Sequence, residues 1–172
     1  DAARAIRPTL RAQQQETEER GHYSQEVHEY FLEHGFYRVL SPRAYGGLEL
    51  GVSAYFAMIS EVARGCPSTA WCLALPVAHN LTLASYWPEQ VQREVFGEEG
   101  FVIGPASGNP AQARTRRTEG GYLVSGTWRY ASGSPYSTYF FPTITVPATA
   151  EEDEYLAWAI IPREQYQVMD DW

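Results

Sequence analysis

Residues 66–87, CPSTAWCLALPVAHNLTLASYW, are apolar on nearly every side of a helix. A helix with this pattern is buried in a core rather than lying on a surface, so the stretch predicts the central helix of a helical domain. Pro76 lies in its middle and should kink or split it. The only histidine of the stretch, His79, needs a hydrogen-bond partner if it is buried. It is either a core histidine bonded to a carbonyl or a general acid or base in a closed pocket.

The other segments before about residue 98 also have helical patterns. The N-terminal segment is rich in Ala, Arg, Gln and Glu, which are good helix formers, and it pauses at Gly21. Ser24 is a suitable N-cap for the next helix, and Gly35 is a suitable end. Two more helices are predicted over residues 52–64 and 88–97, each followed or ended by Gly. The first of these two should bury one face, formed by Tyr55, Phe56, Ile59, Val62 and Ala63.

After residue 98 the sequence changes to short segments rich in β-branched and aromatic residues, separated by Gly, Pro and acidic clusters. These segments predict strands. Within residues 122–130 we expect a hairpin or a bulged pair that bends at Ser125 and Gly126. The predicted fold class is therefore α+β, with a helical domain over residues 1–98 and the beginning of an antiparallel β-domain over residues 99–172.

Two loops could hold a ligand. Residues 126–141, GTWRYASGSPYSTYFF, place small and hydroxyl-bearing residues between two aromatic strand segments. This stretch is either a hairpin turn or a ledge for a planar heterocycle, with Trp128 as a packing face and Ser132 as a polar group for the ring edge. Residues 104–110, GPASGNP, are either a plain loop or a turn whose N–H groups and Ser107 meet a ligand. They lack the spacing of a phosphate-binding loop.

Composition excludes several functions. The net charge of −8 argues against nucleic acid or an anionic membrane as the main partner. All thirteen basic residues are Arg, which excludes a Schiff-base lysine or a P-loop lysine in this segment. No apolar run approaches the roughly 20 residues of a membrane span. The chain begins at Asp1 and ends at Trp172 just after an apparent strand, so we expect it to be a piece of a longer protein.

The cysteines and most histidines have spacings that do not suit a metal site. Cys66 and Cys72 would lie about 240° apart around a helix, so we expect reduced thiols of a cytoplasmic protein and neither a disulfide nor a zinc pair. His22, His28 and His34 recur every six residues, which scatters them around a helix. We expect them to be solvated or lightly packed, and we expect no metal in the protein.

Four segments carry a resemblance to a known family: LSPRAYGGLEL (40–50), EVARGCPSTAWCLALPVAHN (61–80), GGYLVSGTWRYASG (120–133) and VMDDW (168–172). Together they resemble the acyl-CoA dehydrogenase superfamily, in the right order and over nearly the whole chain. The dehydrogenases usually show T-E-P-x-x-G-S-D and W-I-T, where this chain has IGPASGNPAQA (103–113) and WRYASGS (128–134). More closely, the chain is therefore similar to the flavin-dependent monooxygenase branch, the oxygenase components of two-component hydroxylases.

The resemblance implies a fold and a set of site residues. A helical N-terminal domain precedes a β-barrel-like middle domain and a C-terminal four-helix bundle, and this chain would end inside the middle domain without the bundle. Ser132 would lie near the reactive nitrogen of a flavin ring. The flavin would contact Ala106, Ser107, Trp128, Ala131 and Ser132, and the substrate would contact Trp71, Leu75 and His79.

The resemblance also implies a reaction. Reduced flavin, FMN or FAD, would react with O₂ to a C4a-hydroperoxide and pass one oxygen atom to a small organic substrate. His79 would orient or deprotonate the substrate, and Ser132 would hold the flavin adduct. The implied partners are a separate flavin reductase and further copies of the chain, in a homodimer or homotetramer. Two alternatives are an FAD oxidoreductase of the acyl-CoA dehydrogenase type and a non-catalytic fragment that gives only packing or subunit contacts.

Overall fold

The computed structural model describes residues 1–110 and 113–169. The first 96 residues form α-helices, joined by turns and, over residues 34–51, by a longer segment with two 3₁₀ turns. Two helix signals are confirmed: the Ser24 hydroxyl accepts the N–H of Val27 at 3.3 Å, and Gly21 and Gly35 take left-handed backbone conformations where helices end. Residues 170–172 of the VMDDW motif and residues 111–112 lie outside the described residues. The helices are α1 (Ala2–Ala5), α2 (Arg7–Ala12), α3 (Gln14–Arg20), α4 (Gln25–Glu33), α5 (Val52–Ala63), α6 (Pro67–Tyr86) and α7 (Glu89–Phe96).

Helix α6 is the central helix that residues 66–87 predict, and it differs from the prediction in two ways. It continues through Pro76, so the proline does not split it. Leu73 and Val77 are fully buried, but Trp71 is 57% exposed and Leu81 is 42% exposed. The expectation of burial on every side was therefore wrong, because α5 and the residues after α7 cover only one side of α6 within the described part of the chain.

Helix α5 is likewise buried on one side only. Tyr55 and Val62 are buried, as predicted for this face, and the Tyr55 hydroxyl donates to the carbonyl of Ala74 on α6 at 3.0 Å. Phe56 is 59% exposed, so its assignment to the buried face was wrong. It follows Tyr55 directly, and a step of about 100° around the helix takes its ring away from α6.

The residues after α7 form strands, which confirms the α+β class. Strand β4 is central: it pairs in parallel with β1 and antiparallel with β5 and β6. β2 and β3 form a separate antiparallel pair. Among the described residues these are two small sheets and not a closed barrel. The strands are β1 (Ala106–Ser107), β2 (Ala113–Thr118), β3 (Gly121–Gly126), β4 (Tyr139–Val146), β5 (Tyr155–Trp158) and β6 (Ile161–Pro162).

The predicted hairpin at Ser125 and Gly126 is wrong. The chain turns earlier, at Gly120 with φ 75°, and β2 pairs with β3 along its whole length. Residues 127–138 also do not form a hairpin turn, since the strand before them and the strand after them have different partners. Positive φ angles at Tyr130 and Gly133 and a 3₁₀ turn over Ser134–Tyr136 break the extended conformation instead.

A buried amide joins α6 to the segment before β1. The Asn80 side chain donates to the carbonyl of Val102 at 2.9 Å and accepts the N–H of Val102 at 2.8 Å. It also donates to the carbonyl of Pro76 at 3.0 Å and accepts the hydroxyl of Ser41 at 3.0 Å. Asn80, Ser41 and Val102 are fully buried. The amide therefore pairs with Val102 as a neighbouring strand would, and it uses all of its hydrogen-bonding capacity.

The hydrophobic residues form two clusters on either side of this amide. The larger cluster joins the helices and includes Leu10, Phe31, Val62 and Leu73. The smaller cluster lies between the end of α6, α7 and β4, and it centres on Phe141. No helix in residues 1–110 or 113–169 is both long enough and apolar enough to cross a membrane.

We expect Asn80→Leu to destabilise the protein strongly. Leucine has a similar volume, but it leaves the N–H and carbonyl of Val102 and the hydroxyl of Ser41 without partners in a buried site, which costs about 3 kcal/mol or more of the free energy of unfolding. Urea denaturation measures this change. Gln90→Leu, which changes an exposed amide on α7, is the matched control and should be nearly neutral. Equal effects of the two variants would contradict a structural role for the amide.

Candidate functional site

The three predicted substrate residues lie on one stripe of α6. Trp71, Leu75 and His79 are spaced four residues apart, which places them on the same side of the helix over about 12 Å of its length. Leu75 and His79 are half-buried, and Trp71 is exposed. The stripe has an indole at one end and an imidazole at the other.

His79 is fixed by a main-chain carbonyl. Its Nδ1 lies 2.5 Å from the carbonyl oxygen of Gly104, and its ring meets the ring of Trp158 edge-on at 5.4 Å. Because a carbonyl only accepts, Nδ1 must carry the hydrogen and Nε2 is left as an acceptor. Burial lowers the pKa of His79, and the bond to Gly104 raises it by a smaller amount. The imidazole is therefore neutral at neutral pH.

Trp71 connects the stripe to the loop after β3. Its indole N–H donates to the hydroxyl oxygen of Ser132 at 3.1 Å. Ser132 is buried, and this bond uses one of the acceptor positions of its oxygen. Its own hydrogen stays available to donate to a ligand edge.

The remaining predicted flavin residues are tied to the sheet. The indole N–H of Trp128 donates to the carbonyl of Thr143 on β4 at 3.1 Å. The hydroxyl of Ser107 donates to the carbonyl of Arg129 at 2.9 Å, so β1 holds the loop next to Trp128. Ala106 pairs with β4 beside Ser107. The indole N–H of Trp128 and the hydroxyl of Ser107 thus both donate to main-chain carbonyls.

The loop can approach α6 because of Gly133. This residue has φ 89°, and a Cβ on it would lie 2.7 Å from the carbonyl oxygen of Cys72 and 3.1 Å from Cγ of Pro76. Pro76 has no N–H to donate to the carbonyl of Cys72, four residues before it, so that carbonyl is open to the loop. Tyr130 also takes φ 62°, an uncommon conformation for a side-chain-bearing residue. The loop therefore bends sharply twice beside the helix.

A cavity of about 1120 Å³ runs along this loop. Trp128, Ala131 and Ser132 line it, together with the α3–α4 turn and residues 161–169. Trp71 lines a second cavity of about 510 Å³, and Cys72 borders both. Four of the predicted site residues line neither cavity, namely Leu75, His79, Ala106 and Ser107.

Three hydrogen bonds nevertheless join all of these segments in a ring. His79 binds Gly104, Ser107 two residues into β1 binds the carbonyl of Arg129, and Ser132 accepts from Trp71 on α6. The stripe on α6, strand β1 and the loop over residues 127–138, which we call the ledge loop, are thereby connected to each other.

Tyr23, Tyr136 and Tyr166 also line the cavity and are not among the predicted site residues. The hydroxyl of Tyr166 donates to the hydroxyl of Ser137 at 2.6 Å. No local pattern marks these residues, because their partners are distant in sequence.

We expected His28 to be solvated or lightly packed, and it is half-buried. Its packing is specific, since its ring stacks on Tyr136 at 4.1 Å and its Nδ1 lies 2.9 Å from the hydroxyl of Tyr37. Cys66 and Cys72 are buried and free. Within residues 1–110 and 113–169, no three His, Cys, Asp or Glu side chains lie close enough to hold a metal ion.

A comparison with protein families matches residues 1–96 to the N-terminal domain of acyl-CoA dehydrogenases. This match covers the helices α1 to α7 and therefore the whole stripe of Trp71, Leu75 and His79. The ledge loop lies outside the matched residues.

Known proteins are similar over 80% or more of the chain. The oxygenase subunit HsaA of a flavin-dependent monooxygenase from Rhodococcus jostii is 30% identical over 168 residues, which are 98% of this chain and 43% of that protein. The oxygenase component of an FADH₂-dependent resorcinol hydroxylase from a Rhizobium species is 29% identical over 138 residues, 80% of this chain and 33% of that protein. The crystal structure of the HsaA monooxygenase from M. tuberculosis superimposes with a TM-score of 0.90 at 28% identity, and covers 99% of this chain and 46% of that one. The chain spans less than half the length of these relatives.

We expect Gly133→Ala to distort the ledge. A side chain at positive φ costs about 1–2 kcal/mol, and the clash with the Cys72 carbonyl adds to this because backbone cannot move aside easily. The free energy of unfolding should fall by about 2 kcal/mol or more, measured by urea denaturation. Gly121→Ala is the control, since its Cβ would meet no atom within 4 Å and its φ is not positive. A neutral Gly133→Ala would show that the close approach to α6 is absent in solution.

Proposed function

The chain belongs to the acyl-CoA dehydrogenase family through its N-terminal domain, and from this premise we propose that it is part of the oxygenase component of a flavin-dependent monooxygenase. The curated relatives named above carry that activity in their names and match this chain beyond the N-terminal domain. The acyl-CoA dehydrogenase alternative has less support, because the segment WRYASGS (128–134), which differs from a dehydrogenase motif, lies in the ledge. We also propose that the N-terminal domain ends near residue 98 and that residues 99–172 belong to a middle domain.

The ring of three hydrogen bonds is the observation that carries this proposal. It joins the buried Ser132 hydroxyl, at the open cavity, to α6, which carries the neutral imidazole of His79. The Trp128 indole, which donates to Thr143, lines the same cavity. A flavin needs an apolar face for its ring and hydrogen-bond partners for its edge. The residues present fit that need. We propose that Trp128, Ala131 and Ser132 hold the flavin ring and that Ala106 and Ser107 support the flavin from β1.

Reduced flavin, when bound, would supply the two electrons that activate O₂. The chain's own residues would hold and shield the reactants. The Trp71 indole N–H donates to the Ser132 oxygen. Ser132 would use its own hydroxyl hydrogen to donate to the flavin edge. The second role falls to His79: its Nε2 would orient an acidic hydroxyl of the substrate or take its proton.

The substrate we propose is a small aromatic compound with an ionisable hydroxyl. Relatives are named for resorcinol and for p-hydroxyphenylacetate, both phenols, and a neutral imidazole is a suitable acceptor for a phenolic proton. We further propose a separate flavin reductase as partner, a homodimer or homotetramer, and the cytoplasm as location. FADH₂ is the form named for one relative, and FMN is the alternative.

Flavin binding tests the proposal directly. Anaerobic titration of the full-length protein with FADH₂ and with reduced FMN should show saturable binding of at least one of them, followed by flavin fluorescence. Addition of O₂ and a phenol should then give a hydroxylated product. A protein that purifies with tightly bound oxidised FAD and is reduced by an acyl-CoA would contradict this function and support a dehydrogenase.

His79→Ala should uncouple the reaction. Without the imidazole, the substrate loses its acceptor, so hydroxylated product per reduced flavin should fall at least about tenfold while hydrogen peroxide rises. Product and peroxide are measured in the same single-turnover experiment. His34→Ala removes an exposed histidine of α4's C-terminal end and should leave the product yield unchanged. An unchanged yield in His79→Ala would rule out this role.

The product yield should also depend on pH through His79. Burial lowers its pKa below the ordinary value of 6.5, so the neutral, proton-accepting form persists to lower pH than in a free histidine. The yield should stay constant above pH 6.5 and fall as the pH drops through the lowered pKa, when measured from about pH 5 to about pH 8. His79→Ala should lose this acid limb. A limb that survives in the variant would belong to another group.

A further inference from the structure

The ring of Tyr136 is held between two rings of the helical part of the chain. It stacks on Tyr23 with 4.9 Å between ring centres and on His28 with 4.1 Å, at interplanar angles of 21° and 11°. Its hydroxyl donates to the carbonyl of Tyr23 at 3.0 Å. Tyr136 is therefore fixed in both ring position and ring orientation. It lies four residues after Ser132, in the ledge loop.

The two rings that enclose Tyr136 are themselves connected through Tyr37. The Tyr37 hydroxyl lies 2.8 Å from the hydroxyl of Tyr23 and 2.9 Å from Nδ1 of His28. Burial raises the pKa of both tyrosines and lowers the pKa of His28, so all three groups are neutral. Both hydroxyl hydrogens within this group are used when Tyr23 donates to Tyr37 and Tyr37 donates to Nδ1 of His28, which leaves the hydrogen of the neutral imidazole on Nε2. This chain of bonds sets the width of the slot that receives Tyr136.

Hydrogen bonds within the loop connect the residues next to Ser132 with those next to Tyr136. The carbonyl of Ala131 accepts both the N–H of Ser134, at 3.3 Å, and its hydroxyl. The carbonyl of Ser134 accepts the N–H of Ser137 at 3.0 Å and its hydroxyl at 2.5 Å. Residues 131–137 thus form one compact turn.

We propose that Tyr136 is a positioning residue for the candidate flavin site, which keeps Ser132 at the cavity by anchoring the turn over residues 131–137 in the slot between Tyr23 and His28. This proposal rests on the proposed function for its consequence in catalysis. The anchoring of the turn by Tyr136 does not depend on the proposed function. A structural packing role alone would stabilise the whole domain, whereas positioning predicts a local effect on the turn and on the ligand that Ser132 meets.

Hydrogen exchange of the full-length, flavin-free protein tests the anchor. In Tyr136→Leu, which removes the stacking ring and the hydroxyl, amides of residues 131–137 should exchange about tenfold faster or more, since two stacked pairs and one hydrogen bond are lost. Amides of β4 should be unchanged. Tyr136→Phe keeps the stacked ring and should stay within about threefold of the wild type. Tyr86→Leu, which changes a tyrosine that is 81% exposed, is the control. Unchanged exchange at 131–137 in Tyr136→Leu would overturn the proposal.

Flavin binding tests the consequence. Tyr136→Leu should weaken reduced-flavin binding by about tenfold and increase peroxide released per product, and Tyr136→Phe should restore both. Faster exchange in the turn with unaltered flavin affinity and coupling would overturn the positioning role. If the wild type binds no reduced flavin, the proposed function fails. The exchange experiment then still decides whether Tyr136 anchors the turn.

Discussion

The pairing of the Asn80 side chain with the backbone of Val102 sets the register between α6 and the first strand. A buried amide that lost these partners would pay for desolvation without compensation, so α6 cannot slide along the segment without breaking several bonds together. Two residues beyond Val102, the carbonyl of Gly104 then reaches Nδ1 of His79, the neighbour of Asn80. One buried amide thus fixes which carbonyl meets the imidazole, and thereby the tautomer of that imidazole.

The proline inside α6 has a comparable effect on the other side of the site. A proline in a helix usually costs about 3 kcal/mol because it leaves a carbonyl without its donor. Here the free carbonyl of Cys72 lies against Gly133, where only a glycine fits. The helix therefore has a place where a loop can approach its backbone. Tyr136, in the same loop, stacks on Tyr23 and His28, so the ledge contacts the helical part of the chain at two points.

Local patterns predicted the elements well and their partners poorly. The caps at Ser24, Gly21 and Gly35 follow from short-range hydrogen bonding and backbone conformation, and they were confirmed. The bend at Gly126 was wrong, because strand pairing depends on contacts between distant segments, which alternating residues do not specify. The slot around Tyr136 could not be foreseen, since Tyr23 is 113 residues away from it. The resemblance of the motifs indicated Trp71 and Ser132 separately, but only the fold shows that they bond to each other.

The candidate side chains are held mainly by backbone. His79, Ser107 and Trp128 each pair with a main-chain carbonyl. Carbonyl positions depend on the course of the chain and not on the identity of the residue that carries them. Such a site can therefore keep its geometry while surrounding side chains change. The same dependence means that substitutions which shift the backbone, at Gly133 or Asn80, should disturb the site more than most side-chain changes around the cavity.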